Sequence, residues 1–254
     1  MEVNMRVVIT GGTSGMGKSA VNLFLKEGWQ VMIADLNEEA GQTMLKDLNS
    51  QNYNNVYFCK CNVAKGADVE KLFDYTMEMM GGTDSIINNA GIWVGGMLHE
   101  TKEEDWIKVF DVDVKAIYLT SKYFIPYMIQ NKGGTIVNTA SVSGMLGDYN
   151  MAAYNAAKGA VVNLVKAMAL DYGKYGIRVN NVCPAACATP MFLANDDATI
   201  EAFNVANPLK RICTPDEVAK AMFFLASDQS TSCNGVNLQV SGGLDVHTGQ
   251  PVQG

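Results

Sequence analysis

The chain has little of what metal centres, nucleic-acid binders or membrane proteins are built from. No Cys-x-x-Cys pair occurs, and the only two histidines, His99 and His247, stand far apart. Zinc is held by closely spaced Cys and His ligands, so no metal site is expected. Lys and Arg never cluster into a run, and the formal net charge is −7, which excludes the basic stripe a nucleic-acid backbone needs. No apolar run reaches the length of a membrane span. Met5 to Thr10 reads straight into a strand and a glycine turn, leaving no room for a targeting segment. Six cysteines are present, but Cys59 and Cys61 lie two apart in a predicted strand, sharing a face without disulfide geometry. Free thiols fit a reducing, cytoplasmic compartment. At 254 residues the chain can bury most of a core without crosslinks, and the fifteen methionines read as packing.

What is present is an alternation of short apolar runs with helical patterns. Strands are predicted at 6–9, 30–34, 56–60, 85–87, 134–138, 177–182 and 236–240. Helices are predicted at 19–27, 38–48, 67–80, 101–129 (broken near its start), 154–172 and 215–226. The strand runs are continuously apolar, as strands covered on both faces must be. This order predicts an α/β fold, a doubly wound parallel sheet, in one domain over 1–254. Residues 189–210 carry no strand pattern and contain Asn195-Asp196-Asp197. They read either as a surface excursion or as a lid over a pocket.

The first strand runs into Thr10-Gly11-Gly12-Thr13-Ser14-Gly15-Met16-Gly17-Lys18. Glycines let the backbone turn tightly against a phosphate, and the following helix offers unpaired N–H groups to an anion. Asp35 ends the second strand, eighteen residues after Gly17. A carboxylate there accepts from adenosine ribose hydroxyls and repels a 2′-phosphate, and neither Ser14 nor Leu36 supplies an offsetting charge. The expected cofactor is therefore NAD. Gly12 through Ser19 also matches the P-loop spacing formally, but no acidic strand end for magnesium is evident.

Tyr154 and Lys158 lie four apart, with Ser141 thirteen residues before the tyrosine. On a helix this spacing puts phenol and ammonium on one face. A fixed positive charge favours the phenolate, so Lys158 is expected to lower the tyrosine pKa from its ordinary value near ~10.

Taken in order, these motifs resemble the short-chain dehydrogenase/reductase family in its single-domain form, with a Rossmann-like fold. Thr10 to Gly17 matches its Thr-Gly-x-x-x-Gly-x-Gly turn. Asn88-Asn89-Ala90-Gly91 matches its Asn-Asn-Ala-Gly, Gly176 to Asn180 a segment entering the sixth strand, and Ser141, Tyr154 and Lys158 its catalytic trio. The resemblance implies that Tyr154 is the general acid/base, that Ser141 holds the substrate oxygen, and that Lys158 binds the nicotinamide ribose. It also implies a cofactor-binding set of Gly11, Thr13, Ser14, Gly15, Met16, Gly17, Asp35, Leu36, Asn62, Val63, Asn89, Ala90, Gly91, Tyr154, Lys158, Pro184, Cys187 and Thr189, with no metal.

Four positions depart from the family pattern. Asp113 stands where the active site usually has Asn, a residue that in the family supports a helix kink whose backbone carbonyl binds a relay water to the lysine; that carbonyl is kept, and the added carboxylate either acts on the tyrosine or faces away as a cap. Asn62 replaces an Asp beside adenine, Pro184-Ala185 replaces Pro-Gly, and Ser241 replaces an Asp before Gly242-Gly243.

Trp93, Val94, Met145, Leu146, Tyr149, Met191 and Phe192 are candidate pocket walls. They are apolar and free of arginine, which suits a neutral secondary alcohol or ketone: a hydroxysteroid-like ring, a cyclic alcohol or a small acyclic ketone. The family implies a homotetramer built on the long helices and the last strand. Two other readings stay open: an NAD-binding sensor without turnover, and an NADPH-dependent 3-ketoacyl reductase, which Asp35 and the acidic surface disfavour.

Overall fold

Seven apolar runs assemble into one sheet in the computed structural model, which describes residues 5–246. His247 lies outside the described residues. The strands are β1 (Arg6–Thr10), β2 (Gln30–Asp35), β3 (Val56–Lys60), β4 (Ser85–Asn88), β5 (Gly134–Thr139), β6 (Ile177–Pro184) and β7 (Asn237–Val240). Their spatial order is β3-β2-β1-β4-β5-β6-β7, and every pairing is parallel. The order reverses between β1 and β4, and a crevice outside the carboxyl ends of such strands is where ligands bind in open α/β sheets.

The helices are α1 (Gly15–Lys26), α2 (Glu38–Ser50), α3 (Gly66–Met80), α4 (Glu103–Phe110), α5 (Ala116–Gln130), α6 (Ala152–Tyr172), α7 (Pro190–Leu193), α8 (Asp197–Ala206) and α9 (Pro215–Ala226). Successive strand residues point to opposite faces. Val7 and Ile9 therefore join one core with Phe24 of α1 and Met222 of α9. Val8 joins the other, with Leu72 of α3, Phe124 of α5 and Val165 of α6. Phe24 meets Trp29 and Phe223 edge-on at centroid distances of 5.0 and 5.1 Å, which ties α1 to α9. No described helix is long and apolar enough to cross a membrane.

Two local expectations are corrected, and one stretch left open is filled in. Helix α1 begins at Gly15 rather than at residue 19, because the Lys18 amide closes a helical turn onto the Ser14 carbonyl at 3.1 Å. The long helix is broken further in than expected, by a π turn over Asp111–Lys115. The stretch 189–210, left open as a surface excursion or a lid, carries the helices α7 and α8. Asp196 caps α8 by accepting from the Thr199 amide at 2.7 Å, so its acidic residues mark a helix start.

A row of side-chain amides, unforeseen in the sequence, crosses half the sheet. Thr120 donates to Asn88 at 2.9 Å, Asn88 to Asn138 at 2.9 Å, Asn138 to Asn181 at 3.0 Å and Asn181 to Asn237 at 2.7 Å. Buried amides are costly unless paired. Here strand register brings the four into line, each beside the next.

Candidate active site

The glycine turn is built by close backbone approach. Gly11 and Gly15 have φ of +63° and +51°, the left-handed region that a side chain resists. A Cβ on Gly17 would overlap the Gly11 carbonyl and the Asn89 side chain. Asn89 donates its Nδ2 to the Thr10 and Gly11 carbonyls at 3.1 and 3.2 Å, and the amides of Asn89 and Ala90 donate to Thr10 Oγ1 at 3.0 and 3.1 Å. Thr10 thus pins the segment after β4 to the turn after β1, a role sequence reading missed. Asn89 Oδ1 is buried with no partner among the described residues, an acceptor facing no donor of the chain itself.

Asp35, at the carboxyl end of β2, is fixed from two sides. Its Oδ2 accepts from the Thr13 amide at 3.1 Å and from Thr13 Oγ1 at 2.7 Å, and its Oδ1 accepts from the Asn37 amide at 3.0 Å. A carboxylate offers about four lone-pair sites, so acceptor capacity remains for hydroxyl donors. Leu36 beside it is exposed, and Lys18 is exposed rather than folded into the turn. Asn62 follows β3 with its Oδ1 accepting from the Ala64 amide at 3.0 Å, which uses part of the acceptor capacity expected for a ligand, and Val63 is buried next to it.

On the other side of the switch, Pro184 ends β6 and its carbonyl accepts from Ser141 Oγ at 3.3 Å. Cys187 is buried and pairs by backbone with Cys213. Thr189 caps α7 and lies so close to Gly15 that a Cβ there would stand 3.0 Å from its methyl carbon. The segment after β6 therefore folds back onto the glycine turn.

Tyr154 and Lys158 share a face of α6, with the ammonium nitrogen 5.6 Å from the phenol ring centroid. Ser141 follows β5 and accepts from the Ser143 amide at 3.1 Å, which sets its side-chain direction. Lys158 is buried, donates to the Thr139 carbonyl at 2.8 Å, and has Asp113 Oδ2 2.9 Å away. Asp113 Oδ1 accepts from the Ile92 amide at 2.9 Å. The carboxylate does not face away as a cap on its own helix; it forms a buried ion pair with the lysine. Gly91 packs against that pair, where a Cβ would stand 3.2 Å from Asp113 Oδ2 and 3.5 Å from Lys158 Nζ.

The electrostatics differ from the simple expectation. Burial pushes the Tyr154 phenol up, Lys158 pulls it down, Asp113 pushes it up again, and Ser141 pulls it down; the net direction is upward. Burial works against the Lys158 charge, but Asp113 and Tyr154 more than offset it, so its pKa lies above the usual lysine value. The protein's own groups thus do not make Tyr154 a stronger acid than free tyrosine. The sequence left open whether the Asp113 carboxylate acts on the tyrosine or faces away; the fold sets it against the lysine at 2.9 Å.

The expected pocket walls divide. Val94 and Tyr154 pack with Ile92, Trp106 and Phe110 on the buried Val109, Ala153 and Ala157, so Val94 is part of a small core beneath the site. Trp93, Met145, Leu146, Tyr149 and Met191 are exposed, and Phe192 meets Phe203 of α8 edge-on at 5.1 Å.

Residues 11–245 match the family model described as Enoyl-(Acyl carrier protein) reductase. The chain is 42% identical over 248 residues to the meso-2,3-butanediol dehydrogenase of Serratia marcescens, covering 98% of this chain and 97% of that protein. It is 38% identical over 243 residues to the 2,5-dichloro-2,5-cyclohexadiene-1,4-diol dehydrogenase of Sphingobium indicum, covering 94% and 96%. The crystal structure of 3-ketoacyl-(acyl-carrier-protein) reductase from Brucella melitensis complexed with NADH superposes with a TM-score of 0.88 at 29% identity, covering 95% and 98%. Agreement that runs the length of the chain, in sequence and in fold alike, makes this protein a member of the short-chain dehydrogenase/reductase family.

Proposed function

We propose that the protein is an NAD-dependent dehydrogenase that interconverts a small neutral secondary alcohol, a diol in the first instance, and the corresponding ketone. The observation that carries this reading is the grouping of Tyr154, Lys158 and Ser141 at the carboxyl ends of the strands, beside a glycine turn and an acidic β2 end. The diol preference draws on the butanediol and cyclohexadiene-diol dehydrogenases among the relatives and on apolar walls without arginine.

The residues fit a dinucleotide. Gly11 and Gly15 hold the tight left-handed turn at the start of α1, Asn89 Oδ1 is a buried acceptor unpaired among the described residues, and Asp35 keeps acceptor capacity for ribose hydroxyls. Asp35 also repels a 2′-phosphate, the reason for preferring NAD over NADP. When bound, the nicotinamide supplies the hydride-accepting carbon. Tyr154 takes the alcohol proton in oxidation and returns it in reduction. Ser141, turned by its bonds to Ser143 and Pro184, directs the substrate oxygen toward the phenol. Lys158, fixed by the Thr139 carbonyl, places a positive charge beside the ring and would hold the nicotinamide ribose. The free thiols suit a cytoplasmic enzyme, and the exposed Ile107, Tyr118 and Leu170 suit burial in a homotetramer.

A panel of acyclic and cyclic diols with NAD, followed by absorbance of the reduced cofactor, tests the reading. Turnover of at least one diol supports it. Tight NAD binding with no turnover of any alcohol or ketone would favour the sensor instead, and faster reduction with NADPH than with NADH would favour the 3-ketoacyl reductase.

A further inference from the structure

One buried charge has no part in that chemistry. Asp113 sits in the π turn between α4 and α5, where the widened turn changes which faces the two helices present. Its side chain is fully buried and that of Lys158 is 5% exposed, so water screens neither. Lys158 is held by the Thr139 carbonyl and Asp113 by the Ile92 amide, and Gly91 packs so close that a Cβ there would stand 3.2 Å from the carboxylate.

Few other charges face the pair or the phenol. From the segment before α6, Asp148 accepts from Asn155 Nδ2 at 3.2 Å and pushes Tyr154 up only weakly. From β6, the Cys183 thiol is pushed up to about 12, chiefly by burial, and stays neutral. Asp111 is partly exposed and pairs with Lys115 at 2.9 Å on the outer side of the turn. Among the described residues, the cation acting on Tyr154 is therefore Lys158, and its counter-charge is Asp113.

Opposite charges 2.9 Å apart act on a third group as a dipole. A dipole's pull falls off faster than that of a lone charge, so the phenol feels only part of the ammonium. Burial, which favours the neutral phenol, then prevails. Resting on the dehydrogenase reading of Tyr154, we infer that Asp113 is a positioning residue that fixes the Lys158 ammonium and cancels part of its charge, so that alcohol oxidation rises at a higher pH than it would with an uncharged residue at 113. The protonated phenol is the form that donates to a carbonyl, so ketone reduction proceeds at neutral pH without that constraint.

Asp113→Asn keeps the shape and the acceptor for the Ile92 amide while removing the negative charge. In the pH profile of kcat/KM for alcohol oxidation, the acidic limb is expected to move to lower pH by about one unit. The alkaline limb of ketone reduction should move the same way. A merely structural loss would lower both profiles without moving either limb, and that result overturns the inference.

A second measurement needs neither turnover nor a folded variant at 113. Tyr154, labelled at Cζ with carbon-13 and assigned by the signal lost in Tyr154→Phe, is titrated by NMR in the cofactor-free wild-type protein. Its midpoint is expected above the ordinary tyrosine value of about 10; a midpoint near neutrality overturns the inference. If no alcohol or ketone is turned over, the dehydrogenase reading falls while this titration still decides the charge balance. If turnover is found and the limb stays put on Asp113→Asn, the charge balance alone falls.

Discussion

The two walls of the cleft are built to opposite rules. On the nucleotide side, after β1, β2 and β4, most polar groups are spoken for: Thr10 binds two amides, Thr13 and Asn37 hold Asp35, and Gly17 sits where no side chain fits. On the substrate side, Trp93, Leu146, Tyr149 and Met191 stand exposed on loops and short helices, with Tyr149 98% accessible. On the proposed reading the first wall matches one unchanging ligand, and a hydrogen-bonded scaffold holds that match at little entropic cost on binding. On the proposed reading the second faces a small neutral alcohol, and its exposed apolar side chains have surface to bury against one. Tyr154 and Lys158 lie at the seam. That is why their charge balance is set by a helix turn belonging to neither wall.

The largest effect is expected at the seam. Tyr154→Phe should lower kcat by at least about a hundredfold, the usual scale of proton-transfer assistance. NAD affinity by fluorescence titration should stay within a few-fold. Undiminished oxidation would remove the phenol from the mechanism.

On the closed wall, Gly17→Ala forces a methyl onto the Gly11 carbonyl. Overpacking of this kind costs about 1–3 kcal/mol, so urea unfolding should show that loss and NAD affinity should fall by roughly tenfold or more. Asp35→Asn should relax the choice of cofactor, raising the NADP-to-NAD ratio of kcat/KM by about tenfold through removal of one unit of repulsion at the ribose. An unchanged ratio would mean that Asp35 serves only to hold Thr13.

The open wall should be the most forgiving. Leu146→Ala or Met191→Ala should change stability by no more than about 0.5 kcal/mol, as for other exposed positions. The KM of the best diol should nevertheless shift several-fold. If either destabilises the protein as much as Gly17→Ala, the contrast between the walls is mistaken.

Much of the architecture could be read directly. The β3 range and the Pro215–Ala226 helix coincide with the expected bounds, because a short run rich in β-branched and aromatic residues and a Thr-Pro-x-Glu start are local signals. Misplaced boundaries fall where local preference was overruled: at Gly15, where glycine begins a helix, and near residue 101, where a break was expected and the helix instead widens at Asp111–Lys115, around the position at which the family resemblance implied a kink. The row of asparagines across β4 to β7 was equally hidden. Each residue alone reads as a polar interruption, and only strand register makes each the partner of the next.

The sequence by itself determined the sheet, the nucleotide turn and the tyrosine–lysine face of α6, since each depends on residues within a few positions of one another or on a periodic pattern. Tertiary structure alone decided what the lysine's charge is worth. Asp113 lies forty-five positions before Lys158, and nothing in their spacing brings them together. The folded chain leaves them 2.9 Å apart out of reach of water. Electrostatic strength depends on distance and burial, and neither is a property of the chain until it has folded.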